Sequence, residues 1–355
     1  MSNSQHEHRS EPDASGTAAP VPNSPPGYFV QYARDAMACE FAIQVQAGKY
    51  PQAANAALSA LDVVEQVEER ITVYRDASEV MDVNRRAARE AVAVSNELFA
   101  LLELCARLHE ETQGAFDATA GPLIRAWGFY RRQGRVPDEA ALAAAVDCVG
   151  MQHVRLDAKQ RSVRFAREGV ELNFGSVGKG FALDRAAEVL VAQDVDGFLM
   201  HGGKSSVLAR GSSGVDGWDV GIRDPLRPGR SLGRVCLRGR ALATSGSGAQ
   251  YFRHGGKRYG HILDPRTGRP AEELISTSVV APSAAEADAL ATAFYVMGRD
   301  AAIAHCAERP HLAAVLVRAG GGAGGMTVDA VGFTAGDFAP ASGIDVEDVE
   351  LPAES

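Results

Sequence analysis

No stretch of about 18 consecutive apolar residues occurs in the chain, so nothing in it can span a bilayer as a helix. No apolar run with a cleavage site follows the first methionine, and the expectation is a protein without a secretory signal, soluble and cytoplasmic. Paired cysteines are missing as well. Cys39, Cys105, Cys148, Cys236 and Cys306 are odd in number, scattered, and form no CxxC. That spacing suggests neither a zinc site nor a disulfide framework, and it leaves buried small hydrophobes. Basic excess is absent too: 36 Lys and Arg against 45 Asp and Glu give a formal charge of −9. A surface that tracks nucleic-acid phosphates needs the opposite sign, so no nucleic-acid partner is expected. A local basic pocket, sufficient for an anionic small molecule, remains compatible with that balance.

What is present reads as a globular enzyme-sized chain. Its 355 residues allow one large domain or two smaller ones. Residues 1–26 are rich in Ser, Pro, Glu and His, a disordered tail by composition, in which His6 and His8 are incidental. Residues 339–355 turn acidic and are expected to form a second, loose tail, leaving 27–338 as the folded unit. Leu61, Val64, Val67 and Ile71 recur at helical spacing within 53–74, and Leu98, Leu101, Cys105 and Leu108 within 94–109. Further helices are expected over Glu139–Val146, 179–191 and Ala284–Met297, the last ended by Gly298. Strands are expected at 41–45, 154–157, 162–165, 198–200, 207–210, 218–222, 233–237, 259–262, 276–281, 313–318 and 326–330. The glycine run 320–325 lies between two strands with no Lys and no helix after it, so it reads as a hairpin connection rather than a phosphate loop. Strands and helices mix irregularly without a repeat, which predicts an α+β fold with substantial antiparallel pairing.

Four segments carry candidate chemistry. In LNFGSVGKGFALD (172–184) a polar, glycine-rich turn runs into a helix whose N-terminus and Lys179 together can hold phosphate; the plainer reading is a helix cap with a solvated lysine. In ADALATAFYVMG (287–298) Asp288 and Thr292 stand four apart, so their oxygens share one helix face among apolar neighbours. A carboxylate there needs a partner or a cation, and hard oxygen ligands suit Mg²⁺; capping of a neighbouring backbone is the alternative. In HILDPRTGRP (261–270), preceded by Ala243-Thr244-Ser245-Gly246, His261 ends a strand and either accepts a proton or satisfies a core hydrogen bond. In GAFDATAGPLIRAWGF (114–129) small residues beside aromatics suit a planar ring, with Asp117 for its polar edge, or simply anchor a loop.

Together, in this order and at this spacing, the four segments resemble the FAD:protein FMN transferase (ApbE) family, as do MACEF (37–41) and SEVMDVN (78–84). The resemblance spans about residues 37–298. It implies an ApbE-like, T-fold-related architecture and an enzyme that uses Mg²⁺ to move FMN from FAD onto a Thr or Ser of a target flavoprotein, releasing AMP. Relatives that hydrolyse FAD to FMN and AMP, or mainly bind it, mark the alternatives. By motif match, Met37, Tyr74, Ala115, Phe116, Asp117, Asn173, Lys179 and Ile262 fall at FAD contacts, Ser176, Asp288 and Thr292 at magnesium ligands, and His261 at the base. Three positions depart from the family's habit: Asn173 replaces an Asp, Ser176 a Thr, and Lys204 the Asp of a Gly-Gly-Asp block.

Overall fold

Alternation along the central strands determines how the layers stack. In β10 (Ala241–Gly246), Ala241 and Ala243 join one hydrophobic cluster while Leu242 joins another; in β13 (Leu274–Ala281), Val279 and Val280 divide the same way. Successive side chains of a strand point to opposite faces, so a sheet with this pattern is buried on both sides. The computed structural model describes residues 27–131, 133–213, 217–246, 248, 250–320 and 325–349. The expected tail at 1–26, the middle of the glycine run (321–324) and residues 350–355 lie outside the described residues.

The main sheet has nine strands in the order β1 (Phe29–Ala36), β2 (Cys39–Gln46), β6 (Phe198–Gly202), β7 (Ser206–Arg210), β10, β13, β14 (Ala313–Ala319), β15 (Met326–Val331) and β17 (Val346–Val349). Every neighbouring pair is antiparallel except β15 with β17. One face is covered by α1 (Ala53–Ile71), α6 (Gly178–Ala192) and α7 (Ala284–Met297), the other by a small sheet of β8 (Trp218–Arg223), β9 (Ser231–Leu237) and β16 (Phe338–Pro340). A third sheet joins β3 (Val92–Ala93), β4 (Val154–Asp157) and β5 (Ser162–Phe165) beside α2 (Glu79–Arg86) and α3 (Asn96–Glu111). The short helices α4 (Gly121–Ala126) and α5 (Glu139–Val146) pack with the hairpin β11 (Tyr251–His254) and β12 (Lys257–Gly260) around Trp127. After α7 the chain turns through α8 (Arg299–Ala307) into β14. The mixed, antiparallel-rich α+β expectation holds.

α7 is buried on nearly every side, as an Ala-rich helix at the centre of a domain must be. Its N-terminus is fully provided for. Ser283 Oγ accepts the Glu286 N–H, and the Asp184 carboxylate on α6 accepts the N–H groups of Ala284 and Ala285 at 2.8 and 2.9 Å. α6 can come this close because residue 180 is glycine: a Cβ there would lie 2.0 Å from the Ala284 carbonyl oxygen.

Among the boundaries that differ from expectation, three matter for the site and for the end of the chain. α1 stops at Ile71, with Thr72 extended, so Tyr74 lies beyond the helix. The strand expected at 259–262 ends at Gly260, and His261 and Ile262 form the turn after the β11–β12 hairpin. The segment from 339 is not loose as far as it is described, because β16 pairs with β9 and β17 pairs with β15. One acidic residue of this segment has cationic partners: Glu347 on β17 lies 3.9 Å from Arg299 and 3.7 Å from Arg318. No helix among the described residues is long and apolar enough to cross a membrane.

Candidate functional site

A cleft of about 430 Å³, within the usual range for small-molecule sites, opens where α6, α7, β10 and three loops converge. It gathers the sequence candidates from across the chain. Lys179 enters from the first turn of α6, with Asn173 and Ser176 on the preceding loop; Asp288 and Thr292 enter from one face of α7. Ala115, Phe116 and Asp117 come from the turn after α3, Tyr74 from the loop after α1, and His261 and Ile262 from the turn after β12. Met37 is the exception and is not part of the lining. It occupies the two-residue turn between β1 and β2, where both Met37 and Ala38 have positive φ (50° and 58°). Left-handed backbone at two non-glycine residues is costly and is typical of functional turns. Beside this turn, burial pushes the Cys39 thiol pKa up, with the charge of Lys179 opposing the effect.

Asp288 is the centre of the polar end. Its side chain is only 7% exposed; Oδ1 accepts the Ser206 hydroxyl at 2.8 Å, and Oδ2 accepts the Gly180 N–H at 3.0 Å. Lys179 Nζ is 3.7 Å from Oδ2, an ionic neighbour too distant for a hydrogen bond. One turn further along α7, Thr292 Oγ1 contacts Ser245 Oγ at 3.0 Å. Among the described residues no group of three or more His, Cys, Asp or Glu could hold a metal ion. One carboxylate surrounded by hydroxyls does fit Mg²⁺, which commonly takes one or two carboxylates and completes its shell with water and substrate phosphates. Asn173 Oδ1 accepts the Gly175 N–H at 2.9 Å, so its amide closes the turn that presents Ser176 and Lys179.

His261 lines the same cleft from the turn after β12. Its Nδ1 is 3.0 Å from the Gln250 carbonyl oxygen, which can only accept, so the proton sits on Nδ1 and Nε2 keeps its lone pair. Burial lowers the imidazole pKa, with Lys179 adding to the effect, and the ring is neutral at pH 7. Toward the apolar end, Tyr74 is 70% exposed and stacks on Tyr130, centroids 5.1 Å apart, with the Arg125 guanidinium over the Tyr130 ring. An open aromatic face beside a polar rim suits a flat heterocycle.

Three supporting residues were not singled out by sequence reasoning, and a fourth, Ser245, entered only as part of the segment quoted before His261. Ser206 and Ser245 hold Asp288 and Thr292; their signal was a small polar residue within an otherwise buried strand. Gln250 sets the tautomer of His261 and offered no sequence signal. His109, on the last turn of α3, lies 3.0 Å from Asp117 Oδ2 in an ionic contact off the hydrogen-bond direction, and Asp117 Oδ1 accepts from both Thr119 N and Oγ1. Lys204 is exposed in the β6–β7 turn, and nothing in the structure explains the replacement there.

The fold and motifs have known counterparts. The chain is 31% identical over 258 residues to the FAD:protein FMN transferase of Klebsiella pneumoniae, covering 72% of this chain and 79% of that one. It is 32% identical over 271 residues to the FAD:protein FMN transferase of Treponema pallidum, covering 72% and 75%. The crystal structure of the ApbE protein from Thermotoga maritima superposes with a TM-score of 0.76 at 29% identity, over 86% of this chain and 97% of that one. The apo flavinyl transferase ApbE of Pseudomonas stutzeri gives 0.75 at 28%, over 86% and 95%. The ApbE family model matches residues 37–316, which takes in every residue lining the cleft, and the chain belongs to the ApbE family.

Proposed function

We propose that the chain is a Mg²⁺-dependent FAD:protein FMN transferase, which binds FAD in this cleft and attaches FMN to a Thr or Ser hydroxyl of a target flavoprotein. One observation carries the reading: a neutral imidazole with a bare Nε2 lines the same cleft as an ammonium, a buried carboxylate and an exposed aromatic face. The reaction needs each of these. The acceptor oxygen attacks the phosphorus of the FMN half while Nε2 of His261 takes the hydroxyl proton. A new P–O bond forms to the protein, the bond from that phosphorus to the bridging oxygen breaks, and AMP leaves with the electron pair. Lys179 and the N-terminus of α6 bind and orient the pyrophosphate, and Tyr74 with Phe116 and Ile262 seats the ring system. Asp288, Thr292 and Ser176 are the oxygen donors that would hold Mg²⁺. When bound, the ion offsets the charge that develops on the phosphate oxygens.

The test is incubation of the purified protein with FAD, Mg²⁺ and candidate flavoproteins, followed by in-gel flavin fluorescence after denaturation. A fluorescent acceptor band that depends on FAD and Mg²⁺ is the expected result. FMN and AMP appearing in solution with no labelled protein would instead assign the site to FAD hydrolysis.

A further inference from the structure

Lys179 and Asp288 face each other in an arrangement that fits a place-holder better than a finished ion pair. The carboxylate is almost fully buried, so its charge requires compensation. The two hydrogen bonds it accepts, from Ser206 and Gly180, take one lone pair on each oxygen. The ammonium at 3.7 Å supplies charge without filling the remaining coordination sites. A divalent cation seated on the same carboxylate would meet that ammonium as a like charge at close range. Lys179 stands at the first turn of α6, 24% exposed and lining the cleft, so an alternative anion can reach it. The donor set points the same way: a single carboxylate with hydroxyls is a weak site for Mg²⁺ until substrate phosphates complete it.

We infer that Lys179 is a stand-in cation: it neutralises Asp288 in the ligand-free protein and transfers to the pyrophosphate of FAD when a divalent cation takes the carboxylate. The inference rests on the functional reading above. Metal and dinucleotide then bind as a coupled pair, because each removes what opposes the other. By reciprocity, FAD tightens the metal by the same factor as the metal tightens FAD.

Mn²⁺ serves as the probe, its unbound aquo ion followed by electron paramagnetic resonance with the full chain, alone and with FAD, and no acceptor protein present. For the parent protein, FAD should tighten Mn²⁺ about 5–150-fold, the usual span of such couplings. Lys179→Gln should bind Mn²⁺ alone several-fold more tightly than the parent, and FAD should add much less to it. Lys179→Arg keeps the charge and should hold Mn²⁺ alone as weakly as the parent, which separates charge from a change in cavity shape. If the parent binds FAD but Lys179→Gln binds Mn²⁺ alone no more tightly, the stand-in role is wrong and the functional reading survives. If flavin fluorescence shows no FAD binding to the parent, with Mn²⁺ or without, both fall together.

Discussion

Asp329 and Asp288 are both withdrawn from water, at 0% and 7% side-chain exposure, but they keep different company. Asp329, on β15, lies between two guanidinium groups. Arg299 Nε donates to Oδ1 at 2.9 Å, Arg318 Nε donates to Oδ2 at 3.1 Å, and further nitrogens of both approach at 2.8 to 3.4 Å. Two planar forks of this kind saturate a carboxylate and leave no room for a ligand. Asp288 has one hydroxyl, one backbone N–H and an ammonium at a distance, beside a cleft. A buried charge that is over-provided with partners holds structure together; one that is under-provided, next to a cavity, is available for chemistry. Burial alone would not have separated the two.

Neutralising each carboxylate without changing its shape should separate the two roles. Asp288→Asn should abolish turnover of FAD, measured as AMP release by chromatography, while thermal unfolding shows the protein still folded. Near-normal turnover of that variant at low Mg²⁺ would remove Asp288 from the cation site. His261→Ala comes next. Loss of a general base is worth about 10²–10⁴-fold in transfer rate, and FAD affinity by fluorescence titration should stay within a few-fold. The parent should lose activity as pH falls through the imidazole pKa, which burial places below the ordinary histidine value. In the variant that acid limb should flatten; loss of FAD binding together with activity would make His261 a binding residue instead.

Asp329→Asn should produce the reverse pattern. Removing one partner from a buried ion pair typically costs about 3–5 kcal/mol, here because Arg299 and Arg318 would lose the buried carboxylate they share and be left with exposed ones, Asp300 beside Arg299 and Glu347 beside both. Urea unfolding should register that loss, while turnover per folded molecule stays near the parent's. An Asp329→Asn protein as stable as the parent would mean that the guanidinium forks around this carboxylate do not hold structure together.

How far all this was legible in the chain follows the same division. Helical spacing and strand alternation are local, so Glu139–Val146 and Ala284–Met297 coincide with the observed helices, and the strands at 154–157 and 162–165 coincide with β4 and β5. The site was legible because its loops carry unusual local chemistry: glycines before Lys179, and a carboxylate on an apolar helix. What stayed hidden depends on distant partners. Nothing near Gln250 announces that its carbonyl fixes the His261 tautomer, and nothing in 339–349 announces arginines on other elements waiting for Glu347. Ser206 and Gly180 meet Asp288 only because β7, α6 and α7 converge, and no window of sequence contains all three.

The smallest expected effect belongs to His109, whose charge faces Asp117, the other buried carboxylate in the cleft. Contact with Asp117 raises the His109 pKa against the opposing effect of burial, with smaller contributions from the Phe116 backbone and Glu110. The Arg266 side chain also lies near, since its Cγ and His109 Cε1 would each lie 3.5 Å from a Cβ on Gly114, but its guanidinium is engaged by Asp264 at 2.9 Å. The sign of the linkage follows from the direction of the shift. A histidine whose folded pKa is raised contributes stability that is fully present below its unfolded value, about 6.5, and is lost as pH rises through the folded value. His109→Gln should therefore be less stable than the parent near pH 6, by about 1 kcal/mol given partial exposure to solvent. The gap should close as pH rises toward 9. Because Asp117 is also held by Thr119 N and Oγ1, its position should survive, and FAD affinity should fall only a few-fold. Paired thermal melts of parent and variant across this pH range provide the measurement. A stability gap that does not change with pH would reduce His109 to a packing residue, and Asp117 would then owe its place in the cleft to Thr119 alone.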